Sequence, residues 1–168
     1  MSDIQYKELN FTVNGKDTSV MIDVRSSLLE VLRNNLGLHS VKKGCEVGEC
    51  GACTVLIDGE PFDSCIYLAI WAEGKSILTV EGLMGEDGSV SDIQQAFIDE
   101  AAVQCGFCTP GLIMTAYSVL ADGKRYTRDE LRHKLAGNMC RCTGYHNIIN
   151  AVEKTMLQRI ENAESQDK

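Results

Sequence analysis

The chain has 168 residues and sets 24 acidic side chains against 16 basic ones, for a formal net charge of −8, with 44% hydrophobic and 24% charged residues. The hydrophobic and charged fractions are those of an ordinary globular protein, and the acidity argues against nucleic acid as a partner, because phosphate binding needs clustered Lys and Arg. No apolar run approaches the ~20 residues that cross a bilayer, and the opening Met1-Ser2-Asp3-Ile4-Gln5-Tyr6 has neither a basic stretch leading into an apolar one nor a twin arginine, so the expected compartment is the cytoplasm.

The first part of the chain reads as β-rich. Leu9, Phe11 and Val13 alternate with polar residues, Asn14-Gly15 is a two-residue hairpin signal, and Val20 and Ile22 resume the alternation. Ser26 or Ser27 can cap a short helix carrying Leu28, Leu29, Leu32 and Leu36, and Gly37 suits its end. A glycine-rich loop follows, then a strand over 54–57, a turn at Asp58-Gly59, and a further strand over 76–80. One helix across a small mixed sheet is the economical architecture. From about residue 82 the signals become helical. Ser91 with Gln94 and Thr127 with Glu130 form capping boxes, and Thr109-Pro110 places a cap before a proline. The apolar spacing of Ile93, Ala96, Phe97 and Ala101, of Leu112, Ile113, Ala116, Tyr117 and Leu120, of Leu131 and Leu135, and of Ile148, Ile149, Val152, Met156 and Ile160 predicts four short helices forming a bundle. The expected division is an α+β domain over 1–82, a helical domain over 83–160 and a polar, frayed tail over 161–168.

Eight cysteines fall into two groups of four. In a reducing compartment, ordered sets of thiols bind metal more often than they form disulfides. Cys45-x4-Cys50-x2-Cys53, with Cys65 eleven residues later, has the spacing of plant-type [2Fe–2S] ferredoxins. Gly44, Gly48 and Gly51 alternate with these ligands, as a loop needs where backbone must pass close to a cluster with positive φ at several positions. Zinc favours paired C-x2-C hooks, and in this set only Cys50 and Cys53 form one.

The second group is Cys105-x2-Cys108 between two predicted helices and Cys140-x-Cys142 between two later ones. One end of the bundle can bring these four thiolates together, where unpaired N–H groups at helix starts favour negative charge. By spacing alone, zinc and an iron–sulfur cluster both fit this set. His39, His133 and His146 are read as surface or structural residues, Trp71 as core or subunit interface, and Phe107 and Tyr145 as shields of the cluster against water.

The residues flanking the ligands resolve the choice. Gln104-Cys-Gly-Phe-Cys-Thr-Pro-Gly111, Gly137-Asn-Met-Cys-Arg-Cys-Thr-Gly-Tyr145 and Gly44-Cys-Glu-Val-Gly-Glu-Cys-Gly-Ala-Cys-Thr54 resemble the iron–sulfur subunits of the xanthine oxidase family of molybdenum hydroxylases. Through Cys65-Ile-Tyr-Leu-Ala-Ile-Trp-Ala-Glu-Gly-Lys75 the chain is most similar to small subunits of bacterial xanthine dehydrogenases. The resemblance implies a ferredoxin-like β-grasp domain and a four-helix domain, each holding one [2Fe–2S] cluster. It implies a molybdopterin-binding large subunit beside the second cluster, with Gln104 and Cys142 contacting the pterin, and an FAD-binding medium subunit toward the first, in a heterotrimer or its dimer. The chain would then carry electrons singly from molybdenum to flavin and hold no substrate-converting site. Xanthine or hypoxanthine is the implied substrate class, with nicotinate, an aldehyde or another N-heterocycle as alternatives. The remaining functional classes are a zinc-binding module and a free-standing ferredoxin.

Overall fold

The structure, a computed structural model, describes residues 5–166. Residues 1–4, at the start of the first expected domain, and 167–168, the end of the expected tail, lie outside the described residues.

Strands β1 (Tyr6–Val13) and β2 (Lys16–Asp23) form an antiparallel hairpin in which Val13 faces Lys16. Asn14 and Gly15 between them take φ of 51° and 77°. That left-handed pair matches the twist of two right-handed strands. Alternation buries Leu9, Phe11, Val13 and Ile22. Helix α1 (Leu28–Glu30) begins at Ser27, whose side chain and that of Glu30 cap each other's backbone N–H, and it runs on as a wider π-type turn over Val31–Asn35. Its Leu28, Leu29 and Leu32 pack on the sheet, each burial contributing about 1.5–3 kcal/mol. Strands β3 (Thr54–Ile57) and β4 (Glu60–Asp63) form a second hairpin, and β5 (Ser76–Leu78) slots parallel to β1 and antiparallel to β3. The sheet order is β2-β1-β5-β3-β4. A mixed sheet crossed by one helix is the expected β-grasp arrangement.

The second half is built from α2 (Asp92–Asp99), α3 (Thr109–Val119), α4 (Arg128–Lys134) and α5 (His146–Gln166). The Ser91–Gln94 and Thr127–Glu130 capping boxes both form. Ile93, Phe97, Leu112, Leu131, Ile148, Ile149 and Val152 make a separate core. Arg159 binds Asp92 at 2.6 Å and Lys154 reaches Asp99 and Glu100 at 3.2 Å, tying α5 to α2. No helix among the described residues is long and apolar enough to cross a membrane.

Several local expectations change. The strand expected over 76–80 ends at Leu78, because Val80–Leu83 turns as a 3-10 segment. There Glu81 accepts hydrogen bonds from the hydroxyls of Ser40 and Thr79. Burial pushes the Glu81 carboxyl up, but these bonds outweigh it and hold the group below its ordinary value. The cap of α3 is Cys108, one residue earlier than Thr109. Ala101 has φ 49° and leaves the α2 face, and Ala102 is buried in its place. Of the two places expected for Trp71, core or subunit interface, the first is excluded, since it is 56% exposed in a short 3-10 turn after Leu68. The tail is helical to Gln166, because α5 continues past its last packed residue, Ile160.

The two halves meet where α3 packs on β3, a strand buried on both faces, with Val55 and Ile57 in the first half's own core. The approach is too close for a side chain at Gly111: a Cβ there would stand 2.1 Å from the Gly51 carbonyl oxygen. Gly111→Ala is therefore expected to destabilise the chain by about 1–3 kcal/mol, as overpacking does. Gly137→Ala, at a position with open space, should change stability by less than about 0.5 kcal/mol. Thermal melting of the two variants checks both.

Candidate metal centres

The loop over 36–53 joins α1 and its π-type turn to β3 and carries Cys45, Cys50 and Cys53, while Cys65 follows the end of β4. The loop curls because Glu46, Gly48 and Gly51 all take positive φ, at 61°, 76° and 65°. Gly44 does not share that conformation; its role is space, since a Cβ there would lie 2.9 Å from the Cys50 sulfur. The curl aims backbone donors at sulfur. The N–H groups of Val47 and Glu49 reach Cys45 Sγ at 3.5 and 3.3 Å. Those two bonds, first Val47 and then Glu49, hold the Cys45 thiol down at about 6. Burial pushes Cys53 up to about 12.

At the second group, Cys108 caps the N-terminus of α3, and Cys140 and Cys142 lie in the turn before α5. That turn is fastened by its own side chains. The Cys140 N–H donates to the Tyr145 hydroxyl at 2.8 Å, and Cys140 Sγ lies 3.1 Å from Thr143 Oγ1. Burial raises the Cys140 thiol, yet the Thr143 contacts and the Cys108 thiol bring it below its ordinary value. Cys108 is pushed up to about 12, first by burial and then by Cys140. Contact with Cys105 raises Cys142.

All eight thiols are unbridged, and they meet in twos. Cys45 sits beside Cys50, and Cys53 beside Cys65, near enough for the second thiol of each pair to influence ionisation of the first, while the Cys53 thiol itself donates to Asp63 Oδ1 at 3.7 Å. Cys105 and Cys142 approach to 3.7 Å between sulfurs, and Cys108 sits beside Cys140. Among the described residues, no three metal-ligating groups converge as they do around a single ion. Two irons that each take two thiolates need this paired arrangement, whereas one tetrahedral zinc needs all four sulfurs around one point. The donor set and the glycine-lined curl therefore fit a two-iron cluster at each group. Bound metal charge offsets the burial that opposes ionisation of Cys53 and Cys108.

The two groups are joined by a seam that sequence reasoning did not assign. Asn138 is 3% exposed, and its Nδ2 donates to the Gly51 carbonyl at 2.9 Å and to Thr54 Oγ1 at 3.2 Å. The next residue, Met139, donates its N–H to the Cys50 carbonyl at 2.9 Å. A cysteine of one group thus accepts through its backbone from the neighbour of Cys140 in the other. Asn138 stood within the quoted Gly137–Tyr145 motif, but its partners are more than 80 residues away and leave no local signal. Gln104 is exposed beside Cys105, and Cys105 and Cys142 are exposed as well. His39, His133 and His146 are all exposed and take no part in the paired thiols.

Comparison with known proteins agrees with this geometry. Residues 11–76 match a 2Fe-2S iron-sulfur cluster binding domain, and residues 79–153 match a [2Fe-2S] binding domain. The chain is 54% identical over 149 residues to the xanthine dehydrogenase iron-sulfur-binding subunit of Escherichia coli O157:H7, covering 86% of this chain and 92% of that one. It is 48% identical over 162 residues to the caffeine dehydrogenase subunit gamma of Pseudomonas sp. (strain CBB1), covering 95% and 96%. A chain of quinoline 2-oxidoreductase from Pseudomonas putida 86 superposes with a TM-score of 0.89 at 44% identity, over 95% of this chain and 99% of that one. The chain carries two [2Fe–2S]-binding domains, and it belongs to the iron–sulfur subunits of the xanthine oxidase family of molybdenum hydroxylases.

Proposed function

We propose that the chain carries electrons singly between a molybdopterin centre on a large subunit and an FAD on a medium subunit. In this reading Cys45, Cys50, Cys53 and Cys65 hold the first cluster, within a domain spanning 1–82. Cys105, Cys108, Cys140 and Cys142 hold the second, within a domain spanning 83–160. A bound [2Fe–2S] cluster supplies one-electron chemistry, and the chain's residues set the conditions for it. Thiolates bind, the Val47 and Glu49 N–H groups stabilise negative charge on Cys45, and the helix start at Cys108 does the same at the second site. The observation that carries the proposal is the hydrogen bond from Met139 N–H to the Cys50 carbonyl. It joins the two cysteine loops through backbone and so holds the two groups side by side, which suits a carrier in series.

The faces suit two different partners. Exposed Cys105, Cys142, Met139 and Tyr145 form the end of the bundle offered to the large subunit, with Gln104 and Cys142 as the pterin contacts. Exposed Val47 and Ile66 flank the first ligand loop on the flavin side. The substrate would bind on the large subunit. A purine such as xanthine or hypoxanthine is favoured, because the relatives at 54% and 48% identity are named for xanthine and caffeine, both purines. Another N-heterocycle is the second reading, favoured by the match to the quinoline enzyme. The cytoplasm is the proposed compartment.

Two outcomes test this. In the reduced complex, Cys50→Ser should remove or alter one [2Fe–2S] electron paramagnetic resonance signal and Cys142→Ser the other. Loss of both signals from either change, with the fold intact by circular dichroism, would refute the two-site assignment. The complex purified through a tag on this chain should contain molybdenum and flavin and hydroxylate xanthine or hypoxanthine. Turnover of quinoline or nicotinate with no turnover of purines would transfer the assignment to the second reading.

A further inference from the structure

Phe107 lies between two second-group ligands, yet its side chain serves the other domain. Gly106 precedes it with φ 81°, turning the chain outward between Cys105 and Cys108. The ring packs into neither hydrophobic core and remains 47% exposed. Across the seam the ring reaches the first cysteine loop at Gly44. The position a Cβ would take on Gly44 lies 3.6 Å from Phe107 Cε1, 3.5 Å from the Ala52 methyl and 2.9 Å from Cys50 Sγ. The ring edge, the Ala52 methyl and the Cys50 sulfur therefore converge on the bare backbone of Gly44. The Met139–Cys50 hydrogen bond closes the seam at the Cys50 carbonyl, and Phe107 covers the loop at Gly44, close to the sulfur of the same residue.

We infer that Phe107 is a wall lent by the second cluster loop to the first site, keeping water from the Cys50 sulfur and so lowering the potential of the first cluster. The inference rests on the ligand assignment proposed above. The physical link is direct. Reduction adds negative charge to a site, water stabilises that charge, and solvent exposure is one of the factors that set iron–sulfur potentials. A ring that excludes water makes reduction harder. Because the ring is anchored beside Cys108, the hydration of the first site depends on the closure of the seam between the domains.

The test uses the complex, cluster-loaded, with Phe107→Ala, Phe107→Leu and Phe107→Tyr. Pulsed electron paramagnetic resonance after exchange into deuterium oxide reads exchangeable deuterons near each reduced cluster, and redox titration reads each potential. Phe107→Ala should increase deuteron modulation at the first cluster and shift its potential upward. Phe107→Leu should shift it less, and Phe107→Tyr, whose own hydroxyl adds an exchangeable deuteron, should keep the native potential. If Phe107→Ala loses iron, Phe107→Leu decides with the same two readouts. Unchanged modulation and potential at the first cluster with full iron, or changes confined to the second cluster, would overturn the inference while leaving the electron-carrier reading intact. A native complex whose copy of this chain lacks iron would refute that reading itself.

Discussion

The arrangement depends on one short seam of backbone. The Gly51 carbonyl, in the middle of the first ligand loop, accepts from the Asn138 side chain and from the Thr54 N–H and hydroxyl. One residue earlier the Cys50 carbonyl accepts from Met139. The bonds of the Asn138 amide and the Thr54 hydroxyl are buried, so losing one leaves polar groups without water to replace their partners, at a cost of about 1–3 kcal/mol each. The bareness of Gly51 and Gly111 lets the two backbones come close enough to make them.

From the seam outward, each ligand group is fixed by its own domain. The first depends on a loop whose positive φ angles turn N–H groups onto Cys45, and on β4, whose end delivers Cys65. The second depends on the start of α3 and on a turn fastened by Thr143 and Tyr145. In both, one thiol is held low and another is raised by burial. That contrast suits a site completed by a charged metal centre, where the buried thiol ionises as metal binds.

Features set by neighbours in sequence were legible there. The Asn14-Gly15 turn, the capping boxes at Ser91 and Thr127 and the strand over 54–57 depend on residues a few positions apart, and the cysteine spacings are likewise local. Contacts set by distant residues were not. Asn138 read as part of a motif without a role, because its partners Gly51 and Thr54 lie in the other domain. Gly44 read as a conformational residue and is a spatial one. Trp71 read as core or subunit interface, and the 3-10 turn that exposes it leaves only the second. The α3 cap shifted by one residue because Cys108 itself occupies the junction.

The claim on which the rest stands is that each set of two thiol pairs holds a two-iron cluster. Iron and acid-labile sulfide analysis of the purified complex, combined with Mössbauer spectroscopy, tests it most directly. With two domains and two irons in each cluster, the expected result is four irons and four sulfides per copy of this chain, in two antiferromagnetically coupled pairs. Zinc at one or both sites, or two irons and two sulfides per chain with the fold intact, would contradict it.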